Sequence, residues 1–124
     1  MSTIQINNKE KTINIKIWLV HFMDNNGLHY IHSPNLDITG YGYTKKEAKE
    51  SFDIVLKEFF NYILENDTLE EVLSQLGWRV KSNSQTLINT EPFSNIKNEK
   101  FLSDIFEKYS VNSFHENIGM PMYA

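Results

Sequence analysis

Four histidines, His21, His29, His32 and His115, are the side chains of this sequence best suited to hold a metal ion or move a proton. His21 and His29 flank Asp24-Asn25-Asn26-Gly27, and Asn-Gly tolerates the positive φ values of a hairpin loop. Two strands joined there would bring the imidazoles close together, with Asp24 the one acid near enough in sequence to join them. His29 and His32 are three residues apart, so on a strand they point to opposite faces and cannot readily share an ion. The usual metal-ligand spacings are missing, and half-buried histidines without a ligand are the favoured reading. A hydrolase or nuclease built on His21 or His29 ranks last among the functional readings.

Other chemistries find less support. No serine sits in a Gly-x-Ser-x-Gly elbow, and there is no cysteine to act as a nucleophile, a disulfide partner or a thiolate ligand. Ser33 follows His32, but Ser33-Pro34-Asn35 reads as a turn. Gly40-Tyr41-Gly42 lacks the third glycine of a dinucleotide fingerprint. Glu70 and Glu71 open a helix, where acids are favoured by the backbone dipole. The sequence therefore predicts no catalytic residue, no metal and no cofactor.

The elements that must position these residues follow from periodicity. Residues 13–23 alternate: Ile13, Ile15, Ile17, Leu19, His21 and Met23 share one face, which is a strand signature. The other face turns apolar after Lys16, so part of this strand is expected to be covered on both sides. Residues 28–32 form the return strand, stopped by Pro34. Residues 36–43 form a third strand in which Gly40 and Gly42 mark a bulge or a close backbone approach. Thr44-Lys45-Lys46-Glu47 is a capping box, followed to about residue 65 by Ala48, Phe52, Val55, Leu56, Phe59, Phe60 and Ile63 at helical spacing. Thr68-Leu69-Glu70-Glu71 reads as a second capping box, and Gly77 stands where a left-handed C-terminal cap belongs.

Residues 78–82 suggest a fourth short strand, and 82–94 a polar loop with 86–88 extended. Residues 97–109 form a third helix, with Phe101, Leu102, Ile105, Phe106 and Tyr109 on its apolar stripe. Residues 3–6 alternate weakly, 111–114 can extend, and Ile118, Met120 and Met122 alternate with Pro121 in an edge or arm. The expected fold is α+β: an antiparallel sheet of three to four strands with helices on one face, then a C-terminal helix and an extended arm. One domain spans 1–124, with a core at about 13–80 and an extension at 81–124.

Composition narrows the function classes. The chain has 124 residues, 40% hydrophobic and 23% charged, which supports a packed core rather than disorder. Twelve basic and sixteen acidic side chains argue against a surface that grips nucleic acid throughout. Residues 45–80 hold five bases and eight acids, so the acidity is concentrated on the central helices. That is either a solvated face or a docking surface for a basic partner. The longest apolar run, residues 17–23, is far too short for a bilayer, and residues 1–8 show no signal-peptide pattern. Lack of cysteine is compatible with a reducing cytoplasm. Aromatic side chains on the sheet, Trp18, Tyr30 and Tyr41, are candidates for an interaction face.

Two segments carry a resemblance. Ser33-Pro34-Asn35-Leu36 closes the second strand, and Gly42-x-Thr44-x-x-Glu47-Ala48 opens the long helix. With the preceding hairpin, this resembles the HicB-like antitoxin family over roughly half the chain. The resemblance implies a cytoplasmic, oligomeric antitoxin that blocks a small basic mRNA-cleaving toxin of HicA type by protein–protein contact, without catalysis. Many such antitoxins also carry a C-terminal DNA-binding domain. Residues 81–124 show neither a second helix at helix-turn-helix spacing nor a basic strand before a helix pair, so DNA binding is not expected. The partner-binding candidates are Trp18, Tyr30 and Tyr41 for buried area and Glu50, Glu70 and Glu71 for steering. The alternative is an orphan homo-oligomeric binding module of the same fold, with no toxin. Under the antitoxin reading the C-terminal arm could instead be the binding element, or a strand exchanged between protomers.

Overall fold

The alternating segment becomes one long strand, and the rest of the protein is arranged about it. The computed structural model describes residues 2–81, 85–90 and 100–122, without the side chain of residue 101. In chain order the strands are β1 (Ser2–Asn7), β2 (Thr12–Met23), β3 (His29–Ser33), β4 (Ile38–Gly42), β5 (Arg79–Val80), β6 (Thr86–Asn89) and β7 (Val111–Pro121). Helices α1 (Lys45–Glu65) and α2 (Leu69–Gln75) lie between β4 and β5. Helix α3 (Lys100–Lys108) precedes β7. The expected helix over 97–109 begins outside the described residues at 97–99, as do 82–84 and 91–94 of the expected loop.

Every strand pairing is antiparallel, as the α+β reading requires. β7 runs along β2 from Thr12–Pro121 to Phe22–Val111. That occupies one edge of β2, so β1, paired with residues 12–16, and β3, paired with residues 20–23, share the other edge end to end. β6 and β5 continue from β1, and β4 from β3, giving seven strands among the described residues where three to four were expected. The additional width comes from segments whose alternation is short or broken. β6 has four residues, and β7 interrupts its apolar positions with His115, Glu116 and Asn117. The arm therefore closes on its own β2.

Burial along β2 explains the layers. Ile13, Ile15, Ile17 and Leu19 are buried on one face, against Phe52, Leu56, Phe60 and Ile63 of α1. Val20 and Phe22 are buried on the other, where Val20 packs on Leu102 and Phe106 of α3 and Tyr109 stacks on Phe22. The polar-to-apolar switch after Lys16 thus marks where the second face is covered.

Glycine sets the depth at which α1 sits. A Cβ on Gly40 would run into the backbone of Phe52 and lie 2.6 Å from the Ala48 carbonyl oxygen. A Cβ on Gly42 would lie 2.5 Å from that of Glu47. Ala48 is fully buried at this contact. The Thr44 hydroxyl accepts from the Glu47 amide at 3.0 Å, and the Glu47 carboxylate accepts from Tyr43 N at 2.9 Å, one residue earlier than a standard capping box. The second capping box does not form. Thr68 has φ −116° and ψ 13°, its side chain makes no cap bond, and its hydroxyl instead points back at the Ile63 carbonyl, 3.5 Å away. Gly77 has the expected left-handed conformation, φ 91°.

Candidate protein-docking surfaces

Ser33-Pro34-Asn35-Leu36 is a buried junction. Ser33 and Asn35 are almost inaccessible. The Ser33 hydroxyl accepts from Leu36 N at 3.3 Å, the Asn35 side chain accepts from the Ser2 hydroxyl at 2.9 Å, and the Asn35 carbonyl accepts from the Trp78 indole at 2.8 Å. This ties β1, the β3–β4 turn and the segment after α2 together. Its polar groups serve the fold and present nothing to a ligand.

The hairpin brings His21 and His29 together, with His21 Nε2 2.9 Å from His29 Nδ1 and 2° between the ring planes. Burial lowers the His21 pKa, and the charges of Lys45 and His29 lower it further. Asp24 cannot complete a ligand set in this geometry, because its carboxylate accepts from Asn26 N at 2.8 Å, Leu28 N at 3.0 Å and the Tyr30 hydroxyl at 3.1 Å. Those bonds, the Leu28 amide first, hold the Asp24 pKa below its ordinary value. Among the described residues no group of three or more His, Asp or Glu could hold a metal ion. His32 and His115 also have lowered pKa values, chiefly through burial.

The three aromatic candidates share the face of the sheet opposite α1. Val111, Phe22, Tyr30 and Tyr41 form a cross-strand row through β7, β2, β3 and β4. Phe22 and Tyr30 stack at 4.9 Å between ring centroids. Trp18 lies edge-on to His115 at 4.5 Å. Tyr30 and Trp18 are half-buried, whereas Tyr41 at the end of the row is 62% exposed. Helix α3 and Tyr109 occupy the opposite end of this face and supply the cover expected where β2 turns apolar on both sides.

The acidic candidates are elsewhere. Glu50 is exposed on α1, and Glu70 and Glu71 are exposed in the first turn of α2. Glu70 and Glu71, with Asp67, border a groove of about 710 Å³ between the end of α1, α2 and strands β1, β5 and β6. Its apolar lining includes Ile6, Leu64, Leu69, Leu87 and Met122. Trp18, Tyr30 and Tyr41 thus share one surface and Glu70 and Glu71 another, while Glu50, near the start of α1, belongs to neither. The groove itself escaped sequence reasoning, because Ile6, Leu87 and Met122 come from three distant segments with only weak alternation. No helix among the described residues is long and apolar enough to cross a membrane.

No protein-family model matches this chain, and comparisons with curated proteins and with solved structures find no match.

Proposed function

We propose that this protein is an antitoxin of HicB-like type that neutralises a small basic mRNA-cleaving toxin by covering it. The observation that carries the reading is the apolar groove bordered by Asp67, Glu70 and Glu71. An acidic border attracts and orients a basic partner, and an apolar floor supplies area to bury once it arrives. The resemblance adds its own support. Its Gly42 and Ala48 occupy the contact where α1 meets β4, and its Ser-Pro-Asn-Leu segment forms the buried junction. These residues pack the helix on the sheet and tie the turn to its neighbours, an arrangement that suits inhibition by occlusion. Such a protein would act in the cytoplasm.

The test is copurification with a small basic protein encoded beside this one. The complex should form at low salt and associate more slowly as salt rises. Glu70→Lys/Glu71→Lys should weaken it while the fold is retained. A stable complex indifferent to that double charge reversal would remove the groove from the interface, and a toxin that cleaves RNA undiminished in the presence of this protein would end the antitoxin reading.

A further inference from the structure

Asparagine is a labile side chain, and most so ahead of glycine, whose amide nitrogen has no Cβ to keep it from the carboxamide carbon of the preceding residue. Asn26 is the only asparagine of this sequence with glycine next to it. It lies in the loop of the β2–β3 hairpin, and both it and Asn25 are exposed to water. Gly27 is left-handed at φ 82°, and the place a Cβ would take has no atom within 4 Å, so no neighbouring group shields its nitrogen on that side. Against this stands Asp24. Its carboxylate accepts from Asn26 N at 2.8 Å and Leu28 N at 3.0 Å. Its carbonyl accepts from the Gly27 N–H, the attacking group itself, at 3.2 Å. The loop must open at that last bond before Gly27 can react.

We infer that Asn26 is a site of self-modification, in which the Gly27 nitrogen attacks the Asn26 side chain and Asp24 restrains the reaction. Gly27 N gives up its proton to solvent base and bonds to Cγ of Asn26. The carboxamide nitrogen takes up a proton and leaves as ammonia, and a five-membered imide remains. Water then adds to one of the two imide carbonyl carbons and breaks the bond from that carbon to Gly27 N. Breaking the Cγ bond leaves aspartate. Breaking the main-chain bond leaves isoaspartate, whose backbone is one atom longer. Either product carries a negative charge that Asn26 lacks, close to the Asp24 carboxylate, and like charges disfavour the closed loop. The added atom of isoaspartate also falls between the two amides, Asn26 N and Leu28 N, that Asp24 holds together. Asp24 accepts from the Tyr30 hydroxyl as well, and the same hairpin sets His21 against His29, so the change reaches the end of the aromatic row. The reaction consumes only water and does not depend on a toxin partner.

The full chain is incubated at mildly alkaline pH, and mass spectrometry follows the conversion. Trypsin, cutting after Lys16 and Lys45, places Asn25, Asn26 and Asn35 in one peptide. Fragmentation of that peptide should find the mass gain of amide-to-acid conversion at Asn26, ahead of its exposed neighbour Asn25 and of every other asparagine. Asn26→Gln should abolish the gain, and Gly27→Ala should slow it. Asp24→Ala should speed conversion at least about threefold, because it removes charge-assisted bonds that keep the loop closed. The native chain should also convert more slowly than the same chain unfolded in urea, a comparison that needs no variant to fold. Conversion first at another asparagine, or none at Asn26 while the unfolded chain converts, overturns the site. A folded Asp24→Ala chain that converts no faster than the native one, or equal rates for the native and unfolded chains, overturns the restraint.

Discussion

His21 Nε2 and His29 Nδ1 lie 2.9 Å apart across the β2–β3 hairpin, a separation at which one imidazole donates and the other must accept. Burial and the neighbouring imidazole disfavour the charged form of His21. His21 also lies near Lys45, which adds to the penalty for charging it.

Acidification should weaken the fold through its histidines. The folded pKa values of His21, His32 and His115 all lie below the ordinary 6.5, so the unfolded chain binds more protons as pH falls through that value. Stability should be greatest above about pH 6.5 and decline toward the folded pKa values. Asp24, whose folded pKa is lowered from 3.8, adds a loss of the same sign at more acid pH. Urea midpoints measured between pH 7.5 and 5 should fall, and His32→Asn should reduce the slope. A flat profile would contradict the burial that lowers these pKa values.

Two glycines should respond differently to the same added methyl. Gly40→Ala forces α1 away from β4 and should cost at least about 2 kcal/mol. Gly27→Ala meets no atom within 4 Å and bears only the strain of φ 82°, about 1–2 kcal/mol. The distinguishing signal is a shift of the α1 and β4 amide resonances, expected for Gly40→Ala alone.

The two threonines before helices are also unequal. Thr44→Ala removes a formed cap bond and should cost about 1 kcal/mol. Thr68→Ala removes no cap bond and should cost less than about 0.5 kcal/mol. Chemical denaturation of both variants resolves the difference.

Exposed acids at the groove should matter more for binding than for folding. Glu70→Lys/Glu71→Lys should cost about 0.5–1 kcal/mol apiece, since each puts a cation in the first turn of α2 where the helix dipole favours an acid. Association with a basic partner should slow and lose part of its salt dependence. Stopped-flow association rates at two ionic strengths measure this.

Legibility in the sequence tracked the length and regularity of each signal. β2 and α1 are long, and their apolar residues recur with an unbroken period, so the core from Ile13 to Ile63 could be read directly. Gly40 and Gly42 were legible as a bulge or a close approach, and the structure shows a close approach, by the backbone of α1 at Gly40 and by Glu47 and Ala48 at Gly42. β1 and β6 were faint because a strand of four to six residues offers too few repeats to separate from loop. The Thr68 capping box misled because a sequence pattern does not specify ψ, and at 13° the hydroxyl is turned away from the helix amides. His21 and His29 could be paired from the hairpin alone, but Asp24's commitment to the loop amides depends on atomic positions.

Strand β2 has a further consequence during synthesis. Its partner β7 lies almost ninety residues downstream, as the Phe22–Val111 pair shows. At about 5–20 residues per second, a nascent chain would expose one whole side of β2 for several seconds or longer after that strand leaves the ribosome. The hairpin and α1 can assemble in that interval, while the backbone groups awaiting β7 remain open to any passing strand. Chaperone shielding, or rapid completion of translation, would thus bear on how much of this protein reaches its native state.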